Sequence, residues 1–162
     1  MNLYIRLAEV GDASLIHEVM IKAFLEYKNE IPPSSALYET IESITDALQK
    51  EDEQAAICYK DSKPVGLVRF KFKENGVYFY RLSVLPEKQG KGIAKAILNW
   101  LEGYAIKNSK PSIFCKVRLT IPRNIKLYNS LGYYIYAEEV VNKPNGIKIR
   151  VVSMKKQLGK EL

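Results

Sequence analysis

The chain has 162 residues, enough for one domain with a buried core, and its 47% hydrophobic and 27% charged content is ordinary for a soluble globular protein. No apolar run approaches the roughly 20 residues of a membrane-crossing helix, and Met1 to Arg6 lacks the layout of a secretory signal, so a cytoplasmic protein is expected. The formal net charge of +7 admits nucleic acid, but the lysines are dispersed and cluster only at Lys155-Lys156-Gln157-Leu158-Gly159-Lys160, so an anionic cofactor is the preferred source of the basic character.

Leu3 to Leu7 reads as a first strand. Asp12 is placed to cap a helix whose Leu15, Ile16, Val19, Met20, Ala23 and Phe24 share one stripe. Ile31-Pro32-Pro33-Ser34 breaks it, and a second helix carries Leu37, Ile41, Ile44 and Leu48 on one face. Glu51-Asp52-Glu53 is a polar break before a strand from Ala55 to Tyr59, and Asp61-Ser62-Lys63-Pro64 is a turn. Val65 to Lys73 alternates, with Val68, Phe70 and Phe72 facing one way and Arg69, Lys71 and Lys73 the other. Asn75-Gly76 predicts a hairpin turn, and Val77 to Leu85 returns as the next strand.

A helix from about Gly90 buries Ala94, Ile97, Leu98, Leu101, Tyr104 and Ala105. Ile113 to Leu119 is a strand, and a short helix from about Arg123 to Leu131 stops at Gly132. Tyr133 to Val141 and Ile147 to Met154 form a closing hairpin around Lys143-Pro144-Asn145-Gly146. The predicted order is β-α-α-β-β-β-α-β-α-β-β: an α/β (α+β) fold, one domain over 1–155 with a polar tail at 156–162.

Cys58 and Cys115 are far apart, each inside a strand, a spacing that suits neither a metal site nor a disulfide framework, so both are read as reduced, partly buried thiols. The only histidine, His17, reads as a surface residue of the first helix, which leaves a nucleophilic cysteine without a partner. No metal site is expected.

The stretch from Arg81 to Leu98 is the most informative. A strand runs through Pro86 into Gln89-Gly90-Lys91-Gly92 and then a long helix. The first helical N–H groups have no internal partner, and the helix dipole adds partial positive charge there. Gly90 and Gly92 let a phosphate approach the backbone, while Lys88, Lys91 and Lys95 surround the turn with positive charge. The P-loop spacing fails, because Leu85 and Gly92 stand where a glycine and a hydroxyl are required; the dinucleotide fingerprint fails at Lys95. A second constellation is Asn124, Tyr128 and Gly132-Tyr133. Asn124 and Tyr128, four apart, share a helix face.

Gln89-x-x-Gly92-x-Ala94 resembles the Gln/Arg-x-x-Gly-x-Gly/Ala signature of the GNAT superfamily of N-acetyltransferases, and Asn124 through Tyr133 resembles that family's second signature. The element order is similar across nearly the whole chain. The resemblance implies a mixed sheet whose fourth and fifth strands diverge to admit acetyl-CoA. It also implies that the turn of Gln89, Gly90, Lys91, Gly92, Ile93, Ala94 and Lys95 grips the pyrophosphate. Backbone groups of Leu82, Ser83 and Val84 would pair with the pantetheine arm like an added strand, with Asn124 alongside. Tyr128 would protonate the departing thiolate as general acid.

Many members of the family carry a glutamate on the fourth strand as general base. Here Val77-Tyr78-Phe79-Tyr80-Arg81 has no carboxylate, and Glu138 is the fallback. Tyr78 and Tyr80 are expected to line the acceptor pocket, relay a proton through water or pack across strands. The resemblance implies an acceptor pocket shaped by the helix link Tyr27-Lys28-Asn29-Glu30-Ile31-Pro32-Pro33-Ser34, with Tyr27 and Glu30, and by the last hairpin, Val141-Asn142-Lys143-Pro144-Asn145-Gly146. Glu26, Glu30, Glu39 and Glu42 gather near that link, which suits a cationic amine as well as it suits a plain solvated surface. The expected activity is direct acetyl transfer from acetyl-CoA to a primary amine on a small molecule or peptide, with a homodimer among the expected assemblies. The alternatives are a non-catalytic acyl-CoA sensor and an RNA-directed acetyltransferase.

Overall fold

The computed structural model describes residues 2–30, 32–50 and 52–159. Ile31 of the predicted helix break, Glu51 of the polar break and residues 160–162 of the predicted tail lie outside the described residues. The elements are β1 (Leu3–Leu7), α1 (Ala13–Phe24), α2 (Ile41–Lys50), β2 (Glu53–Lys60), β3 (Lys63–Lys73), β4 (Gly76–Val84), α3 (Ile93–Lys107), β5 (Ser112–Arg118), α4 (Pro122–Ser130), β6 (Tyr134–Asn142) and β7 (Lys148–Gln157). They follow the predicted order. Short 3-10 turns at Val10–Asp12, Leu25–Tyr27, Ser35–Tyr38 and Pro86–Lys88 join them. Among the described residues, no helix is long and apolar enough to cross a membrane.

The strands form one seven-stranded mixed sheet in the order β1-β2-β3-β4-β5-β7-β6. Every neighbouring pair is antiparallel except β4 and β5. Alternation along the strands feeds two cores. Leu67 and Ile57 pack with Ile16, Met20 and Ile44 of α1 and α2 on one face. Val68, Phe70 and Phe79 pack with Ile97, Leu98 and Leu101 of α3 on the other. Each such fully buried large side chain contributes roughly 1.5–3 kcal/mol.

Several expectations are corrected. Asp12 does not cap α1: its carboxylate takes two bonds from Arg6, at 2.8 and 3.0 Å, and one from the Glu9 N–H at 2.7 Å. His17 is half-buried, with Nε2 3.1 Å from the Glu39 carbonyl oxygen. Arg69 faces opposite to Val68 and Phe70 as expected, and it is buried there because α1 and α2 cover that face of the sheet. Glu53 is the first residue of β2, not a break; it is buried against Arg69. The β3–β4 turn falls on Glu74-Asn75, and Gly76 already pairs with Lys73. A Cβ on Gly76 would sit 2.5 Å from Ser112 Oγ and 2.6 Å from its carbonyl oxygen, so the glycine serves close approach of β5 rather than turn geometry. The domain boundary at 155 falls inside β7, which runs to Gln157 with Lys156 bonded to Glu102 at 2.9 Å.

β4 and β5 share only two register pairs, Val77 with Ile113 and Tyr78 with Phe114. Tyr78 and Phe114 stack at 5.5 Å, and beyond them the strands part. A bulge lies where they separate. Leu67 faces Ser83 and Arg69 faces Tyr80, so Arg81 and Leu82 of β4 together oppose Val68 of β3. Arg81 takes a left-handed backbone, φ +54°.

Candidate active site

The parted strands open into a cavity of about 500 Å³. One wall is β4 from Tyr78 to Leu82 together with Val84, and the opposite wall is β5 from Cys115 to Arg118. Among the described residues, no bond of the β4–β5 ladder reaches past Tyr78 on this edge of β4. Two polar groups of β4 are met locally: Ser83 Oγ donates to the Arg81 carbonyl at 2.9 Å, and Gln89 Nε2 donates to the Val84 carbonyl at 3.3 Å.

At the mouth lies the turn before α3. Gly90 and Gly92 have φ of +76° and +80°, a region that side chains with a Cβ rarely enter. No side chain caps α3, and its first backbone bond runs from the Ala96 N–H to the Gly92 carbonyl at 3.0 Å. The N–H groups of Ile93, Ala94 and Lys95 are thus left for a ligand. Lys88 and Lys95 line the cavity here and form no ion pair among the described residues.

Tyr128 lies deeper, on α4. Pro122 opens that helix. Gly132, at φ +96°, closes it with bonds from the Gly132 N–H to the Asn129 carbonyl (3.1 Å) and the Tyr133 N–H to the Tyr128 carbonyl (3.0 Å). The Tyr128 ring meets Phe79 edge-on at 5.6 Å. Its hydroxyl makes no hydrogen bond among the described residues, and no fully buried side-chain polar atom there is unpaired, so the hydroxyl opens to the cavity. Burial, with Cys115 and Tyr27 nearby, holds its phenol well above the ordinary range. It keeps its proton at neutral pH. Burial also pushes the Cys58 thiol to about 11 and the Cys115 thiol to about 12, so neither is a thiolate nucleophile.

The 3-10 turn that follows α1 meets the start of α4 at the cavity. Arg123 Nη2 donates to Tyr27 Oη at 2.9 Å and pairs with Glu26 at 2.9 Å. Asn124 Nδ2 approaches Tyr27 Oη at 3.4 Å, and Gln89 Nε2 donates to Glu26 at 3.2 Å.

The cavity gathers most of the predicted residues: Leu82 and Val84; Gln89, Gly90, Gly92, Ile93, Ala94 and Lys95; Asn124 and Tyr128; Tyr27, Tyr78 and Tyr80. Ser83 is buried facing away, Lys91 points to solvent and Glu30 accepts from Thr120 at 3.1 Å; none of the three lines it. Glu138 lies on the sheet edge, paired with Arg150, outside the cavity. Lys143, of the last hairpin expected at the acceptor site, also lines it, whereas sequence reasoning missed Arg81, Lys116, Arg118 and Arg123. The direction of the β4 and β5 side chains among these depends on the bulge and on strand separation, which periodicity does not report.

Behind Tyr80 sits a charge network. Arg69 donates to Glu53 at 2.8 and 3.0 Å and to Glu39 at 2.9 Å, Arg81 Nε donates to Glu39 at 2.9 Å, and the Tyr80 hydroxyl bonds Glu53. Burial, then the bond to Glu53, raises the Tyr80 phenol far above its ordinary value.

An edge of free backbone groups, an uncapped helix end and a lysine-flanked turn fit an extended ligand with an anionic end. The sequence matches the acetyltransferase (GNAT) family over residues 17–133. The chain belongs to that family. GNAT membership makes it an acetyltransferase that draws on acetyl-CoA.

No curated protein matches this GNAT chain. Solved structures share its fold. The ribosomal-protein-S18-alanine N-acetyltransferase from Escherichia coli is 16% identical with a TM-score of 0.78, covering 99% of this chain and 97% of that one. A chimera of the spermidine N-acetyltransferase SpeG from Vibrio cholerae and hSSAT is 22% identical with a TM-score of 0.76, covering 98% and 96%. The PaiA N-acetyltransferase from Thermoplasma acidophilum, in complex with coenzyme A, is 18% identical with a TM-score of 0.74, covering 97% and 99%.

Proposed function

We propose that the chain is an N-acetyltransferase that moves an acetyl group from acetyl-CoA directly to a primary amine on a small molecule or peptide. The observation that carries this reading is the parting of β4 and β5 beyond Tyr78 and Phe114, with the α3 turn at the mouth of the gap and the Tyr128 hydroxyl inside it. Acetyl-CoA supplies the activated thioester. The turn of Gln89 to Lys95 holds its phosphates, with the N–H groups at the start of α3 as donors. Backbone groups of Leu82 to Val84 and the side chain of Asn124 hold the pantetheine arm. The neutral amine attacks the thioester carbonyl while an N–H of the bulged strand polarises its oxygen. As the C–S bond breaks, Tyr128 Oη delivers a proton to the sulfur, and the proton lost by the amine passes to solvent, from which Tyr128 is re-protonated. The acceptor enters between Tyr78, Tyr80 and the segment around Tyr27.

The test is free-thiol release from acetyl-CoA in the presence of an amine panel, with acetyl-CoA binding measured by calorimetry on the same protein. Binding together with thiol release on at least one amine is the expected result. Binding without release on any amine overturns the transferase reading in favour of an acyl-CoA sensor.

A further inference from the structure

The cavity walls carry an excess of positive charge, and its location is informative. Among the described residues that line it, Glu26 is the only carboxylate, and it is bonded to Arg123 and Gln89. Lys88 and Lys95 stand at the α3 turn, where the cofactor's phosphates account for them. Four further cations line the other end: Arg81, Lys116, Arg118 and Lys143. Two are neutralised from outside the cavity, Arg81 by Glu39 and Lys116 by Glu139. Arg118 and Lys143 are not paired with a carboxylate among the described residues.

Arg118 is the more telling of the two. It is half-buried on β5, and its guanidinium donates to two neutral acceptors, the carbonyls of Pro32 and Pro33, the latter at 3.2 Å. Those bonds fix its orientation and leave its charge. Of the carboxylates near this end, Glu39 is engaged by Arg69 and Arg81 and Glu53 by Arg69 and Tyr80; Glu30, which accepts from Thr120 at 3.1 Å and favours the Arg118 charge, does not line the cavity.

We propose that the acetyl acceptor is an amine that also carries an anionic group, with a carboxylate as the best fit, and that Arg118 and Lys143 bind that group while the amine points toward Tyr80 and Tyr128. The inference rests on the transferase reading above. A guanidinium recognises a carboxylate through a planar pair of N–H donors. A polyamine would meet Arg118 and Lys143 as like charges.

The test compares α-amino acids with their decarboxylated amines, aminoalkyl phosphates and spermidine, by thiol release from acetyl-CoA. The amino acids are expected to exceed the matched amines in kcat/KM at least about tenfold, the scale of one charge-assisted contact. Arg118→Gln should raise KM for the amino acid about tenfold while kcat and the matched amine's kcat/KM hold. The amine control separates lost anion binding from a displaced 32–33 segment, which would lower both. Lys143→Glu, in the last hairpin and without a side-chain partner among the described residues, should shift preference toward the decarboxylated amines, which are cations at neutral pH. Preference for aminoalkyl phosphates, with the same two variants impaired, would keep the anion site and assign it to phosphate. Turnover that favours spermidine or plain amines, or that ignores both variants, overturns the inference and leaves the transferase reading standing. Acetyl-CoA binding without thiol release on any member of the panel overturns both.

Discussion

Arg81 Nε donates to Glu39 Oε2 at 2.9 Å from a backbone in the left-handed region, φ +54°. A residue with a Cβ held there costs about 1–2 kcal/mol, and the β4 bulge places that cost where the strand turns away from β5. Arg81→Ala removes the ion pair and the bond to Ser35 but keeps the strain; Arg81→Gly removes both. Arg81→Gly should therefore be the more stable of the two, by about 1 kcal/mol in urea unfolding. Equal stabilities would mean that the bulge relaxes without the arginine.

Tyr128→Phe keeps the edge-on contact with Phe79 and loses only a hydroxyl without a protein partner. Turnover should fall about 10²–10⁴-fold, the usual worth of general acid catalysis. Acetyl-CoA affinity should hold, because charge develops on the sulfur only in the transition state. Wild-type kcat on the best amine would reduce Tyr128 to a packing residue.

Gly92→Asp sets a carboxylate beside the uncapped end of α3 in a backbone with φ +80°. Calorimetry should find acetyl-CoA binding abolished. Gly90→Ala carries a similar strain at φ +76°, with open space around the added methyl, and should retain most of the affinity. The contrast isolates charge from strain.

The two glycine motifs were legible because they act through the main chain. Positive φ, an unsatisfied helix start and a Schellman closure are demanded by residue type and spacing alone, so the Gln89–Lys95 turn and Asn124–Tyr128 land on the cavity. Arg69 and Glu53 were not legible. Period-two alternation says which face a side chain occupies, not what covers that face, and here α1 and α2 return over it. Arg118 was hidden for a related reason: it faces the site only because β5 separates from β4.

Asp12 yields a pH prediction. The bonds from Arg6 hold its carboxyl below the ordinary range, with burial opposing and the Glu9 N–H assisting. Its stabilising effect is complete above the unfolded carboxyl value of about 3.9 and disappears as pH falls through the lower folded value. Asp12→Asn should cost about 1 kcal/mol at pH 7, and the gap from wild type should close progressively below about pH 4. Thermal unfolding across that range measures it. A gap unchanged at the acid end would show that Asp12 acts through shape rather than charge.

The two rungs between β4 and β5 tie the cofactor to the integrity of the sheet. β1–β4 and β5–β7 are each laced by long antiparallel ladders, whereas the line between them has little lacing of its own. A ligand that bonds along the open edge of β4 supplies part of the missing ladder and binds only the folded chain. Thermodynamic linkage then makes donor supply a folding term: at free ligand about a hundred times Kd, the native state gains about 2.7 kcal/mol. The chain's resistance to unfolding and proteolysis in a cell will accordingly rise and fall with the acyl-donor pool.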